Sequence, residues 1–306
     1  MPPSPLSIAS AINRSYALPL AVMLESLKRH LQARFQPVLY LLHAGLTDPI
    51  LDAISSIVET HSVIPSEAQM AVSPRDARFP MEASFPLLLA ELLPPTLERV
   101  LFLDADMLVM EDVGKLWETP FERHVLAAAA DSAVPRCSAP RGVKGWQTMN
   151  IPRDAPYFNC GVLIVHLDRW RQRDVTRRAH HYLETTREPI DFLHQEALNA
   201  VLWNDWTPLD ARWNLLASLA GRRYERPASD AWRRPGIVHF AGRVKPWRVR
   251  TAGPFDAPYQ DVLERVLPLV PREAPDLSDR VNSVYDRYLR ATLHPLERCL
   301  WRRRLI

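Results

Sequence analysis

Val100-Leu-Phe-Leu-Asp-Ala-Asp-Met-Leu-Val-Met110 is the stretch around which the rest of the chain is organised. Val100 to Leu103 is an apolar run of the kind that forms a parallel strand buried on both faces. It stops on two carboxylates, Asp104 and Asp106, and apolar residues resume at Met107. In extended backbone, residues i and i+2 project to one side, so both carboxylates can meet one object. Two like charges held together at the exit of a buried strand repel unless a cation sits between them. That end of an open α/β sheet is also where ligands bind. The stretch therefore points to a divalent cation holding an anionic cofactor, although surface turns also produce Asp-x-Asp.

Upstream, short apolar segments alternate with helical patterns. Leu6 to Ile12 fits a strand and Leu18 to Leu31 a helix, with Leu20, Met23, Leu24 and Leu27 at helical spacing. Val38 to Leu42 fits a second strand. Asp48-Pro49 opens a helix to about Glu59, with Asp48 as its cap, and a brief strand follows at Ser62 to Ile64. Such β-α-β-α-β alternation predicts a parallel sheet with right-handed crossovers. Ser73 to Pro80 is polar and reads as a loop, and Ser84 to Leu93 as an apolar helix leading into the strand at Val100.

Downstream, Val125 to Ala130 is another buried strand, stopping on Asp131, either a turn residue or a second carboxylate at a strand exit. Ala133 to Pro156 lacks periodicity, and that length inside a domain predicts a functional lid or binding loop. Phe158 to Leu167 is the next strand, with Asn159 at its start and Asp168 capping the helix that follows. Asp191 to Leu202 fits a helix carrying His194 and Gln195 in its first turn. Pro208 to Asn214 fits neither helix nor strand. Gly236 to Phe240 is a short strand ending near His239, and the turn-rich Gly242 to Trp247 presents Lys245. Helical pieces are predicted from Val262 to Leu267 and from Val281, the second broken at Pro295.

Composition narrows the class. The 306 residues are 47% hydrophobic and 24% charged, ordinary for a soluble globular protein. From Asp286 to Ile306, six arginines face Asp286 and Glu297, a net of +4; with +3 for the whole chain, the remainder is about −1. A nucleic-acid-binding body is therefore not expected. Cys137, Cys160 and Cys299 follow no metal-ligand spacing, and a sparse, odd set suits reduced thiols in the cytoplasm. Met-Pro-Pro-Ser-Pro lacks the basic start of a secretory leader, and no apolar run approaches the roughly 20 residues of a membrane span. With 28 prolines and 9 glycines, the chain has rigid loops and no glycine-rich phosphate loop.

Four segments, in order, resemble glycosyltransferase family 8, the retaining sugar transferases that include bacterial lipopolysaccharide galactosyl- and glucosyltransferases. They are Leu-Phe-Leu-Asp-Ala-Asp (101–106), Tyr157 to Arg171, the pair 195–201 and 209–214, and Val-His-Phe-Ala-Gly with Lys-Pro-Trp (238–247). With Tyr16, the resemblance covers roughly residues 6 to 250. It implies the GT-A fold, a Rossmann-like α/β domain with a mixed, mainly parallel sheet, here over residues 1–255; the helical patterns beyond it make 256–306 a helical extension. It also implies a UDP-sugar donor, Mn2+ or Mg2+, and a saccharide or glycolipid acceptor.

Residue by residue, the resemblance assigns Asp104, Asp106 and His239 as metal ligands. Two carboxylates and one imidazole suit Mn2+ better than Zn2+ and leave positions open for diphosphate oxygens. On its own His239 would read as a core histidine. Ala9, Asn13, Tyr16 and Ala105 fall on nucleotide-side positions, and Gly242 and Lys245 on diphosphate contacts, where Lys245 would otherwise be a solvated loop charge. Asp131, Asn159 and Gln195 match positions lining the donor sugar and the acceptor. Gln195 would otherwise be a surface amide; as an amide it is a poor nucleophile, which favours front-face attack over a covalent intermediate.

The chain also departs from the family. Acidic residues before the first tyrosine fall on Asn13 and Arg14. The arginine in the helix before the metal strand falls on Pro86, and the aspartate before the glutamine on His194. Losing that paired arginine and aspartate together avoids a lone buried charge. At the far end, Leu296, Leu300 and Trp301 lie at helical spacing among Arg298 and Arg302 to Arg304, either a solvated terminus or a basic amphipathic anchor on anionic lipid at the inner membrane face.

Overall fold

Helices after the first two apolar strands carry the chain back to lay each next strand beside the last in the same direction. β1 (Ser4–Ala11), β2 (Phe35–Leu42) and β3 (Glu59–Val63) are parallel neighbours, joined by the helices Ala17–His30 and Asp48–Ser55. The computed structural model describes residues 3–71, 78–121, 123–217, 230–242, 245–248 and 253–270. Most of the loop expected at Ser73 to Pro80, the helix expected from Val281 and the basic tail lie outside the described residues. The second helix is shorter than its sequence pattern, and Asp48 is its first residue, after Thr47 at the cap. It stops at Ser55 because Glu59 already pairs with Val38, which leaves Ser56 to Val58 for the turn.

The chain then adds β4 (Arg99–Leu103), β5 (Met107–Val109), β6 (Leu126–Ala130), β7 (Phe158–His166), β8 (Trp206–Leu209), β9 (Leu215–Leu216) and β10 (Ile237–His239). The large sheet runs β3-β2-β1-β4-β7-β6-β8, parallel throughout except that β7 is antiparallel to both neighbours. A small sheet, β5-β10-β9, stands beside it. Apolar side chains bury on both faces of the large sheet. One layer lies under the helix Ala17–His30, and the other under Trp170 and the helix Leu193–Leu202. The helix Asp256–Val266 packs on the first layer through Tyr259, Leu263 and Val266.

Two local expectations change. Met81 to Leu88 is a 3-10 helix, followed by one α-turn, Leu89–Leu92; Pro86 lies inside it and removes a backbone donor. Asp168 does not cap its helix: β7 runs straight into Leu167, His166 takes the cap position, and the Asp168 carboxylate accepts from Arg171 instead.

The strand β4 also ends earlier than an alternating pattern through Asp106 requires. The Asp104 N–H donates to Gly161 O at 2.8 Å, the last rung to β7. Phe240 N–H donates to Asp106 O at 2.9 Å, the first rung to the small sheet. Asp104-Ala105-Asp106 is thus a bend where the chain leaves one sheet for the other. What brings the carboxylates together is this crossing rather than two-residue alternation.

Candidate active site

Antiparallel pairing of β5 with β10 sets His239 opposite Met107, the residue after Asp106. The His239 Nε2 lies 3.6 Å from Asp104 Oδ2 and 3.3 Å from Asp106 Oδ1. One ligand atom from each of the three falls within 4.8 Å of the others. Asp106 and His239 are buried, while the Asp104 side chain is 30% exposed and opens the cluster to solvent. The other Asp106 oxygen, Oδ2, accepts from Lys245 Nζ at 2.6 Å, and Lys245 also donates to Phe240 O at 2.9 Å. Gly242, two residues after Phe240, has φ +105, a left-handed backbone conformation that favours glycine.

Electrostatics separate the two carboxylates. Burial pushes Asp104 up, against the pull of His239 and with help from the Asp106 charge. Burial acts on Asp106 the same way, but the Lys245 ammonium and His239 outweigh it and hold that carboxyl well below the usual range. Burial works to lower His239 and Lys245, and in both the Asp106 carboxylate wins and raises them. Asp106 is therefore the firmly ionised carboxylate, held by Lys245 and His239, and Asp104 is the one that takes up a proton more readily. The donor set fits a hard divalent cation: two carboxylates and one imidazole aimed at both, open to solvent on the Asp104 side.

Lys245 sits between aromatic faces, 5.9 Å from the Tyr16 ring centre and 5.3 Å from that of Trp247, with Tyr16 and Trp247 edge to face at 5.6 Å. Tyr16 is thereby brought to the cluster. Asn13 caps the 3-10 turn Arg14–Tyr16 that carries it, accepting from the Ser15 N–H and hydroxyl. Ala105 is buried between the carboxylates. Ala9 lies buried inside β1, between Tyr40 of β2 and Phe102 of β4, two residues before Asp104.

A second group forms beside the first. Asp131 Oδ1 accepts from the N–H groups of Ala133 and Val134, and its Oδ2 from Asn159 Nδ2 at 2.8 Å and Gln195 Nε2 at 3.1 Å. Gln195 Oε1 accepts from Cys160 N–H at 2.9 Å. An irregularity in the sheet makes this possible. Ala128 faces Leu163 and Ala130 faces Phe158, so two steps along β6 match five along β7. The Cys160 and Gly161 N–H groups in that bulge bond the side chains of Gln195 and Asn159. Two residues from the quoted motifs that received no role, Gly161 and Asn214, also belong here. Gly161 leaves space for the His239 ring, and Asn214 bonds both His239 and Asn159.

Pro86 and His194 meet through one carbonyl. In a 3-10 helix, residue 86 would donate to Ala83 O, and proline has no N–H to give. The His194 Nδ1 is 2.8 Å from that oxygen and supplies the missing donor. Burial lowers His194 to about 4, so the folded protein keeps it neutral. The unfolded chain binds that proton below about pH 6.5, which predicts stability falling as pH drops from about 6.5 to 4. His194→Gln keeps an N–H donor without the titration. Its melting temperature should fall less over that range than the wild type's, as read by thermal unfolding at several pH values.

Residues 7–251 match the model of "Glycosyl transferase family 8". The chain belongs to that family. Among relatives, General stress protein A of Bacillus subtilis (strain 168) is 30% identical over 176 residues, 54% of this chain and 58% of that protein. Probable galacturonosyltransferase-like 3 of Arabidopsis thaliana is 31% identical over 202 residues, 60% and 56% of the two chains. The chain thus spans little more than half the length of these relatives. In structure it is similar to galactosyltransferase LgtC in complex with donor and acceptor sugar analogs, at TM-score 0.71 and 20% identity over 85% of this chain and 96% of that one. The WbbM bifunctional glycosyltransferase gives TM-score 0.74 and 17% identity over 88% of this chain and 52% of that one. The mixed, mainly parallel sheet is the GT-A architecture that the sequence resemblance implied.

Proposed function

We propose that this family 8 protein is a retaining glycosyltransferase that moves a hexose, galactose or glucose, from a UDP-sugar to a saccharide or glycolipid. The observation that carries this reading is the convergence of Asp104, Asp106 and His239 beside Lys245. Those three residues would hold Mn2+ or Mg2+, which when bound supplies Lewis-acid charge to the leaving diphosphate. Lys245 adds a second, fixed positive charge at the same place. Tyr16 and Trp247 wall the lysine and narrow the access of water to it.

At the sugar, Gln195 and Asp131 act together. Both ends of the Gln195 amide are engaged, and Asp131 accepts four hydrogen bonds. A carboxylate so loaded is a weak nucleophile. The pair therefore favours stabilising positive charge at the sugar over bonding to it, in keeping with front-face attack. A wall of amides and one carboxylate suits neutral hexose hydroxyls. Among the described residues no helix is long and apolar enough to cross a membrane. We place the protein in the cytoplasm, with the basic tail holding it to anionic lipid near a glycolipid acceptor.

The test is a donor panel of UDP-glucose, UDP-galactose and UDP-galacturonate with a saccharide acceptor, with EDTA and with metal added back. Transfer or slow donor hydrolysis is expected with UDP-glucose or UDP-galactose, lost in EDTA and restored by Mn2+ or Mg2+. The product should keep the donor's anomeric configuration by NMR. Donor binding without turnover would favour a non-catalytic sugar-nucleotide-binding protein, the reading that Pro86 and His194 support. Turnover indifferent to EDTA would overturn the metal-dependent reading.

A further inference from the structure

The side chains of the two groups form one unbroken hydrogen-bonded line, and its polarity can be deduced. Asparagine and glutamine oxygens and nitrogens are ordinarily interchangeable in coordinates. Here backbone N–H groups, which only donate, fix them. The Gly161 N–H meets Asn159 at 2.9 Å, so the atom it meets is Oδ1. Asn159 must then present Nδ2 to Asp131 Oδ2. Asn214 also bonds Asn159 Oδ1, at 2.8 Å, so Asn214 gives its Nδ2 there. That leaves Asn214 Oδ1 facing His239 Nδ1 at 3.0 Å, and an amide oxygen can only accept. His239 must therefore carry a proton on Nδ1 and turn Nε2 toward Asp104 and Asp106. Asn214 is buried, so no solvent competes for either bond.

We propose that Asn214 is a positioning residue for the metal site: it holds the Nδ1 proton of His239, so that Nε2 is the nitrogen offered to the cation. The inference rests on the cation reading of Asp104, Asp106 and His239. The local fold serves the arrangement. The 3-10 turn Ala211–Asn214, capped by Asp210, delivers Asn214 at the start of β9, and β9 pairs with β10 so that Leu216 faces His239. The same asparagine bonds Asn159, and Asn159 bonds Asp131, so cation-side and sugar-side groups share one frame.

Three measurements test it. Titration of the wild type with Mn2+ by calorimetry establishes the site, and a wild type that takes up no Mn2+ would end the cation reading and this inference with it. Asn214→Leu, folded by circular dichroism, should bind Mn2+ about 10- to 100-fold more weakly, the usual cost of losing such a partner. Asn214→Asp keeps an acceptor for Nδ1–H while losing the donor to Asn159. It should hold Mn2+ affinity within about threefold yet lower kcat, a split that general loosening would not give. The third measurement needs no variant. In Mg2+-loaded, 15N-histidine-labelled wild type, the Nδ1 of His239 should show a protonated, pyrrole-type signal. A wild type that binds Mn2+ but carries the His239 proton on Nε2 overturns the proposal while leaving the metal site intact. So does Asn214→Leu with unchanged Mn2+ affinity, or Asn214→Asp as weak as Asn214→Leu.

Discussion

Asp106→Asn is expected to abolish Mn2+ uptake and to lower kcat/KM at least about 1000-fold, equivalent to about 4 kcal/mol of barrier. The size follows from how many partners one carboxylate serves. Its Oδ1 faces His239 Nε2 at 3.3 Å and its Oδ2 takes the Lys245 ammonium at 2.6 Å. Asparagine keeps the volume but carries no charge, so the cation loses one of its two anionic ligands. Lys245, only 12% exposed, loses its counterion at the same time. Leaving one member of a buried ion pair alone costs about 3–5 kcal/mol, here softened because Phe240 O still accepts from the lysine. Metal loss and a lowered melting temperature should therefore appear together. Asp104→Asn should also weaken the metal site but cost less stability, since Asp104 is more exposed and makes no contact with Lys245 among those described. Calorimetric Mn2+ titration and steady-state kinetics on folded Asp106→Asn decide the matter. Affinity and turnover both within tenfold of the wild type would remove Asp106 from the site.

The apolar strands were legible because burial on both faces leaves a continuous apolar run. Leu6 to Ile12 falls within two residues of β1 at either end, Val38 to Leu42 covers the end of β2, and Val125 to Ala130 matches β6 to within one residue. Direction was not legible. Nothing in Phe158 to His166 says that it runs against its neighbours, because an antiparallel strand in the middle of a covered sheet is as apolar as a parallel one. The pair Asp104 and Asp106 is legible from the strand that stops on them, and His239 joins it only through motif likeness. Spacing alone could not have joined residues 106 and 239, which meet only because β5 pairs with β10. Motif likeness groups Asp131, Asn159 and Gln195 at the sugar, but it does not show the hydrogen bonds that bind them into one network. That network depends on N–H groups in a sheet irregularity, a backbone feature without a side-chain signature. Asn214 was hidden for a related reason: its segment fits neither periodicity, so its polar residues had no face from which to argue. In sequence, the Pro86 and His194 departures read as the loss of a charged pair. In the structure they are also a repair, one removing a donor and the other restoring it at Ala83.

Gly161→Ala is expected to cost about 100-fold in function, although the residue carries no side chain. A Cβ built there would lie 2.5 Å from His239 Cε1, 2.7 Å from its Nδ1 and 2.8 Å from Met107 Cε, all closer than real contacts allow. Met107 is flexible and can yield. The backbone cannot, because the Gly161 N–H is bonded to Asn159 and its carbonyl takes the Asp104 N–H at 2.8 Å. A retreat of β7 would therefore drag one metal ligand in order to spare another. The imidazole must swing instead, off Asn214 Oδ1 and out of line with the carboxylates. A misplacement of about 1 Å at such a site costs roughly 100-fold in rate, and overpacking of this kind about 1–3 kcal/mol in stability. We expect Mn2+ affinity to drop by a similar factor while the protein stays folded. A double-mutant cycle separates displacement of His239 from general damage. In a His239→Ala background the clash has no target, so adding Gly161→Ala should lower Mn2+ affinity little further. Should the two losses simply add, the alanine acts on the strand and not on the imidazole, and the close approach at Gly161 would have no part in holding the cation.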